Sequence, residues 1–523
     1  MLFLFREEKE LKEDADKFNM MIIEKTFIMS KIYVCTYIAL HLSVIYLLCG
    51  CGVDLASIQE LNRQPDVFPD YRDVTIPVNI APLNFTLQDS CQKLEVHFVQ
   101  NNQILLKCKG KRTVGIPVKN WNDILQQSAG SDLQVFVFAK HAKKWYAYRP
   151  FNIHVTSDPV DSYIAYRLIA PGYELWDKMG IYQRNLSNFD ESEIILNRLT
   201  GKNCVNCHSF HNYNPNRMMF HSRGSNFSGT FLFADGRMQR VDTKTERAPS
   251  AGTYPMWHPS GDYIAFSSNT TRQTFHALPG KKITVYDLDS DLVVWNVKNS
   301  TMLRDARFTT AELWETFPTW SPDGKWLYFC RAAAKKMPFE IKNLKYGLYR
   351  VDFDAATGRF GNRIDTLLNP ETFHKSVAIP RISPDGRYLL YIASPYASFP
   401  IWRSESCLEM IDLITRRAVD TRELNSNEAD SYQAWSSNGR WIVFSSRRID
   451  GLHTRLYFAY FDTSGHIHKP FLLPQKNPDF YRRFLKSYNV PEFITGKVEL
   501  NPYEITRILE GETTKLEEII VHQ

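Results

Sequence analysis

The sequence predicts a mainly β protein, and two patterns carry that expectation. From Trp257 onward a turn resembling Ser-Pro-Asp-Gly recurs between apolar stretches. From Tyr71 to about Val155, short runs alternate apolar and polar residues between turn signals. Between them lies Cys204-Val205-Asn206-Cys207-His208, a motif of a different kind. The expected order is a small β-sandwich-like domain over 71–160, a short helical or irregular segment with the motif over 161–217, a repeated β array over 218–473, and a C-terminal helix and tail over 474–523.

Composition sets outer limits. A chain of 523 residues has room for two or three domains. The net charge of +6 is small for this length and does not collect into a basic face, so nucleic acid is not an expected partner. Aromatic residues are abundant at 13%.

The first 28 residues read as an upstream extension of the true start, with Met20, Met21 and Met29 as alternative initiators. From Met29 the pattern becomes that of a secretory signal. Lys31 supplies the positive end, and Ile32 to Leu48 is almost free of charge. Leu48-Cys49-Gly50-Cys51 then resembles the end of a bacterial lipoprotein signal, with Cys51 as the lipidated residue. The alternative is a single membrane anchor, for which the run is short. On either reading the bulk of the chain is expected outside the cytoplasm, anchored to the inner or outer membrane of a bacterial envelope. Residues 51–70 read as a polar tether.

In the sandwich-like region, Asp73 to Ile80 alternates, Leu94–Val99 and Ile104–Cys108 flank a Gln100–Gln103 turn, and Leu133–Ala139 and Trp145–Tyr148 form a further pair. A spacer or docking module is the expected role. Asp190 to Gly201 reads as a short helix, with acidic residues in its first turn and Gly201 just past its end. The motif would then begin where that helix stops.

Cys204-x-x-Cys207-His208 has the spacing of a c-type haem attachment site. Two thiols two residues apart reach both vinyl groups of one haem. His208 then offers an imidazole to the iron. Two other readings stay open: an unmodified or disulfide-linked cysteine pair, and zinc, with His211 or His221 completing the set. Haem attachment takes place outside the cytoplasm, which agrees with the export signal. For the sixth iron ligand the candidates are His211, Met218, Met219, His221, Met256 and His258. Met218 is preferred. Met218 and Met219 should point to opposite faces of a strand, so at most one faces iron. Filling the core is the alternative for Met218. Arg217 and Arg223 are candidate partners for haem propionates, and Tyr173, Trp176 and Tyr182 for the wall of a haem face. Cys91, Cys108, Cys330 and Cys407 have no spacing that forces a disulfide.

Four stretches align in the second half: Trp257 to Ser268, Trp320 to Cys330, Ile382 to Ile392 and Trp435 to Ser446. Each is apolar, then a four-residue turn, then a strand. Pro presets φ, Asp or Asn bonds its own backbone, and Gly takes positive φ. The units recur every 53 to 63 residues, so loops are inserted between them. A weaker unit begins at Met218, with two strands around Asp235-Gly236. These units resemble TolB-like β-propeller repeats, most closely at Ser321–Gly324 and Ser383–Gly386. The resemblance covers about half of the chain and implies a propeller of five to seven blades.

The whole arrangement resembles a group of exported bacterial lipoproteins in which a c-type haem motif precedes a TolB-like propeller. They are often labelled cytochrome-c-related or cytochrome c biogenesis proteins. The resemblance implies one covalent haem c, electron transfer or redox sensing, and a redox partner protein in the envelope. The competing expectation is a propeller that binds a protein or glycan without redox activity. TolB-like propellers also resemble those that precede serine peptidase domains, but no G-x-S-x-G elbow occurs, so no catalytic residue is nominated.

Overall fold

The computed structural model describes residues 58–171, 179–224, 227–246, 250–278 and 281–522. The upstream extension, the signal segment and Cys51 lie outside the described residues, as do Tyr173 and Trp176. Among the described residues, no helix is long and apolar enough to cross a membrane.

The N-terminal unit has a seven-stranded and a three-stranded sheet around a shared core. Its chain begins earlier than the sequence suggests. Ile58–Leu61, expected as tether, is a strand paired in parallel with Lys144–Tyr148. One helix, Val118–Gln127, was not expected. It buries Trp121, Ile124 and Leu125, an i, i+3, i+4 stripe, and the Trp121 indole donates to the Ile80 carbonyl at 3.0 Å. Thr75, Asn84 and Asp161 hydrogen-bond to His468, Gln475 and Ser437, tying this unit to the last part of the array.

The rest of the chain forms six consecutive sheets, each built on four antiparallel strands. Sheet one takes its inner strand, Ser487–Ile494, from near the chain's end, followed outward by Tyr163–Ile169, Gly180–Asn185 and Glu191–Leu196. The inner strands of sheets two to six are Cys204–Phe210, Gly252–Trp257, Leu313–Trp320, Ser376–Ile382 and Asp430–Trp435. Each inner strand packs beside the next, and Ser487–Ile494 lies beside both Asp430–Trp435 and Cys204–Phe210. A central cavity is lined by residues of all six.

Three expectations about this region need correction. The array begins at Tyr163, not Met218, and the described part of 161–217 holds four strands and two 3-10 turns rather than a helical or irregular segment. Residues 190–201 form the strand Glu191–Leu196 and a 3-10 turn, Asn197–Thr200. Pairing with Gly180–Asn185 and burial of Ile194 and Ile195 outweigh the helix-like first turn. Gly201 does end that turn in the left-handed region, at φ 68°. The helix expected near Asp479 is only a 3-10 turn, Pro478–Arg482, before the inner strand. The tail adds the helix Pro502–Glu510, and its strands Thr514–Lys515 and Glu517–His522 cover the outer edges of sheets two and three.

The repeated turns behave as their sequence requires. Gly261, Gly324, Gly386 and Gly439 have φ of 77°, 72°, 75° and 67°. Asp323, Asp385 and Asn438 each accept from the backbone N–H two residues on. The tryptophan before a turn joins neighbouring sheets. Trp257, Trp320 and Trp435 donate their indole N–H to the carbonyls of Ser209, Met256 and Arg381, at 3.3, 3.1 and 3.3 Å. Ile382 stands at the same position and cannot make this bond.

Candidate functional site

Every inner strand carries one bulge at the same place. Cys207, Tyr254, Phe317, Ile379, Tyr432 and Val490 have φ of 52°, 51°, 53°, 48°, 49° and 51°. Register shifts accompany each of them. Such φ values are unfavourable for bulky residues, β-branched ones above all. Sixfold recurrence therefore marks a geometry that the whole array imposes. The following residue is Pro255, Pro318, Pro380 or Pro491 in four strands and Gln433 in a fifth. Proline is tolerated because the strand has no sheet neighbour on the cavity side.

In sheet two this position reads Cys207-His208. The motif thus sits in a strand at the centre of the molecule, not at a helix end as expected. Cys204 and Cys207 line one mouth of the central space, with Arg167, Arg223, Arg447 and Tyr254. His208 lines the other, with Met256, Arg381, Glu492 and Trp257. Tyr432 lines both.

The environment of each group follows from burial. Desolvation pushes the Cys204 thiol up, and Arg167 and Arg223 partly oppose it. Arg223 Nη2 lies 3.9 Å from Cys207 Sγ. His208 is pulled down to about 3 by burial, with a smaller contribution from the Arg167 charge and a weak opposing pull from the Val490 carbonyl. Neither of its ring nitrogens has a hydrogen bond of acceptable geometry. An unmade bond on a buried polar group costs about 1–3 kcal/mol. Burial raises Glu492 to about 8, against the Phe210 N–H at 2.8 Å and the nearby Arg381 charge.

The structure separates several residues that the sequence grouped together. Met218 is fully buried among Val205, Phe210, Phe220 and Phe231, and it lines neither mouth. Met219 lies in a different cluster, so the two do face opposite ways. His221 faces Thr230 at 2.8 Å, and His211 the Pro259 carbonyl at 2.9 Å. Among the described residues, no three His, Cys, Asp or Glu side chains gather as a metal set. Of the sixth-ligand candidates, Met256 alone shares a mouth with His208. Arg223 reaches the cysteine mouth, whereas Arg217 stacks on Trp257, 5.6 Å from its ring centre. Cys91, Cys108, Cys330 and Cys407 are free thiols.

The residues missed at the sequence level are Arg167, Arg381, Arg447 and Glu492. No local motif marks them. The bulge frame was legible, since an apolar residue, proline, one residue and an aromatic precede two of the turns, as in Tyr254–Trp257 and Phe317–Trp320.

The donor types a c-type haem needs are present on one strand: two free thiols, which share their mouth with the unpaired Nε atoms of Arg167, Arg223 and Arg447, and one imidazole, which lines the other mouth.

No family model and no curated protein matches the chain. Among solved structures, an oligogalacturonate lyase in complex with manganese is similar at 12% identity and a TM-score of 0.34, over 58% of this chain and 72% of that one. A prolyl oligopeptidase B from Galerina marginata is similar at 10% and 0.34, over 65% and 42%. A puromycin-hydrolysing peptidase of Mycobacterium tuberculosis stands at 12% and 0.32, over 77% and 57%. Likeness at this level carries no argument about activity.

Proposed function

We propose that the six sheets are the blades of a TolB-like β-propeller, and that the protein is an exported, lipid-anchored, mono-haem c-type protein of the cell envelope serving electron transfer or redox sensing. The observation that carries this reading is the buried His208 imidazole, without a hydrogen bond of acceptable geometry, directly after Cys207 in the strand that also carries Cys204, with both thiols free. Bound haem would supply a one-electron couple. Cys204 and Cys207 would hold it through thioethers, and His208 would ligate the iron. Met256 lines the same mouth as His208 and Met218 lines neither, so Met256 rather than Met218 would be the candidate second ligand. Ligand identity and burial would set the potential of a haem held there. A redox partner protein would dock over a mouth of the propeller.

One observation favours a second reading. The thiols and the imidazole open onto opposite mouths. That suits a binding module for a protein or glycan whose cysteines stay unmodified. Mass spectrometry of the peptide carrying Cys204 and Cys207 separates the two. The protein is produced in cells able to mature c-type cytochromes. The haem reading expects the mass of one haem on that peptide, and two unmodified cysteines would sink it.

A further inference from the structure

The cysteine mouth carries positive charge that no carboxylate among its described lining residues answers. Arg167, Arg223 and Arg447 all line it, and no Asp or Glu is among its described lining residues. Arg447 is 3% exposed, its Nε has no partner, and its guanidinium carbon sits 3.5 Å from the ring centre of Trp402. The Nε atoms of Arg167 and Arg223 are also buried without a partner. Arg167 reaches Asn489 Oδ1 at 3.3 Å once that amide is oriented to suit its neighbours. Arg223 has the distant contact to Cys207.

Three other buried or half-buried arginines in the array meet carboxylates, whereas Arg455 and Arg184 bond backbone carbonyls. Arg304 meets Asp291 at 2.8 Å, Arg331 meets Glu315 at 2.7 Å, and Arg448 meets Asp430 at 2.9 Å. Arg447 and Arg448 are neighbours in sequence, and only Arg448 has a carboxylate at ion-pair distance, Glu428 and Asp450 acting on Arg447 from farther off. A buried charge without a counter-charge is costly, so a ligand that supplies one would be favoured there. The guanidinium fork matches carboxylate and phosphate oxygens. Tyr254, Tyr432, Phe399 and Trp402 offer flat apolar surface beside the three arginines.

We propose that this mouth is a binding site for a compact organic ligand bearing two or more carboxylate or phosphate groups, held by Arg167, Arg223 and Arg447. The site does not depend on thioether attachment. The same chemistry has two sources: the carboxylates of a porphyrin joined to Cys204 and Cys207, or a free small-molecule polyanion.

The test is calorimetric titration of citrate, and separately of inorganic phosphate, into the full chain made without haem maturation. Wild type is compared with Arg447→Met, Arg223→Gln and the exposed control Arg363→Met. Wild type and the control should bind alike. Each mouth variant should bind at least tenfold more weakly. Arg447→Met should also melt no lower than wild type without ligand, because it removes a buried charge whose carboxylates act only from farther off. Arg223, half-buried, keeps the test valid if Arg447→Met fails to fold. No binding of either anion by wild type, or equal binding by all variants, overturns the site.

Haem-matured protein separates the sources. Loss of citrate binding on maturation, but not in matured Cys204→Ala, Cys207→Ala protein, names the porphyrin carboxylates. Retained binding names a free anion. Failure of haem attachment leaves the citrate titration unaffected, so the two ideas fail separately.

Discussion

Replacing Glu492 by Gln should stabilise the protein in a pH-dependent way. The carboxyl is buried in the His208 mouth and raised to about 8, chiefly by desolvation. A raised acid binds its proton more tightly in the folded state than in the unfolded one. Its ionisation therefore removes stability as pH climbs from the unfolded value, about 4.3, towards 8. The slope is about 1.4 kcal/mol per pH unit while only the unfolded form is ionised. Between pH 5.5 and 8.5 the wild type should thus lose about 3 kcal/mol relative to Glu492→Gln. Glutamine keeps an oxygen for the Phe210 N–H and differs mainly in charge. The groups facing Glu492 do not titrate in this window: His208 is held near 3, Tyr213 is pushed far up, and Arg381, although lowered by burial, stays charged. Urea unfolding of both proteins at the two pH values measures the gap. A gap that stays constant, or a variant less stable at pH 8.5, would refute the reasoning and show that Arg381 holds an ionised Glu492.

Other consequences concern the repeat and the motif. Gly386→Ala meets only the cost of a left-handed alanine, about 1–2 kcal/mol, with nothing closer than 3.8 Å. Gly324→Ala has the same φ cost but places Cβ 2.4 Å from His258 Nε2, and disturbing that ring's bonds to Gly324 and Ser260 should add about 1–2 kcal/mol by chemical denaturation. Trp435→Phe leaves the Arg381 carbonyl without its indole donor and should cost about 1 kcal/mol by chemical denaturation. In haem-free protein, His208→Gln should fold with unchanged or higher stability, following Gln433 at the matching place; a large loss would mean that the imidazole has a partner within the protein.

The turns were legible because their chemistry is local. Pro, Asp and Gly each solve a backbone problem within four residues, and all four glycines have the positive φ that this requires. The extent of the array was harder to read. Tyr163–Ile169 and Glu191–Leu196 carry no turn signature, and their strand character comes from pairing with Ser487–Ile494 and Gly180–Asn185, the former more than 300 residues away. Cys204-x-x-Cys207-His208 was visible as a motif, but its strand setting was not. The acidic start and glycine end around 190–201 imitate a capped helix, and only cross-strand burial of Ile194 and Ile195 decides against it. Met218 failed to reach the cavity for a similar reason. Alternation was read correctly for Met218 and Met219, but both of their faces turn out to be core. The arginines of the cysteine mouth come from three distant strands and loops, and nothing local to them signals convergence.

The central claim is a haem held covalently by Cys204 and Cys207. Its most direct test is a haem stain of the denatured protein after expression with c-type maturation, with wild type beside the Cys204→Ala, Cys207→Ala double variant. The account predicts a stained band in wild type that the variant lacks. An exported, folded wild type that gives no band, or a band that survives in the double variant, would contradict it.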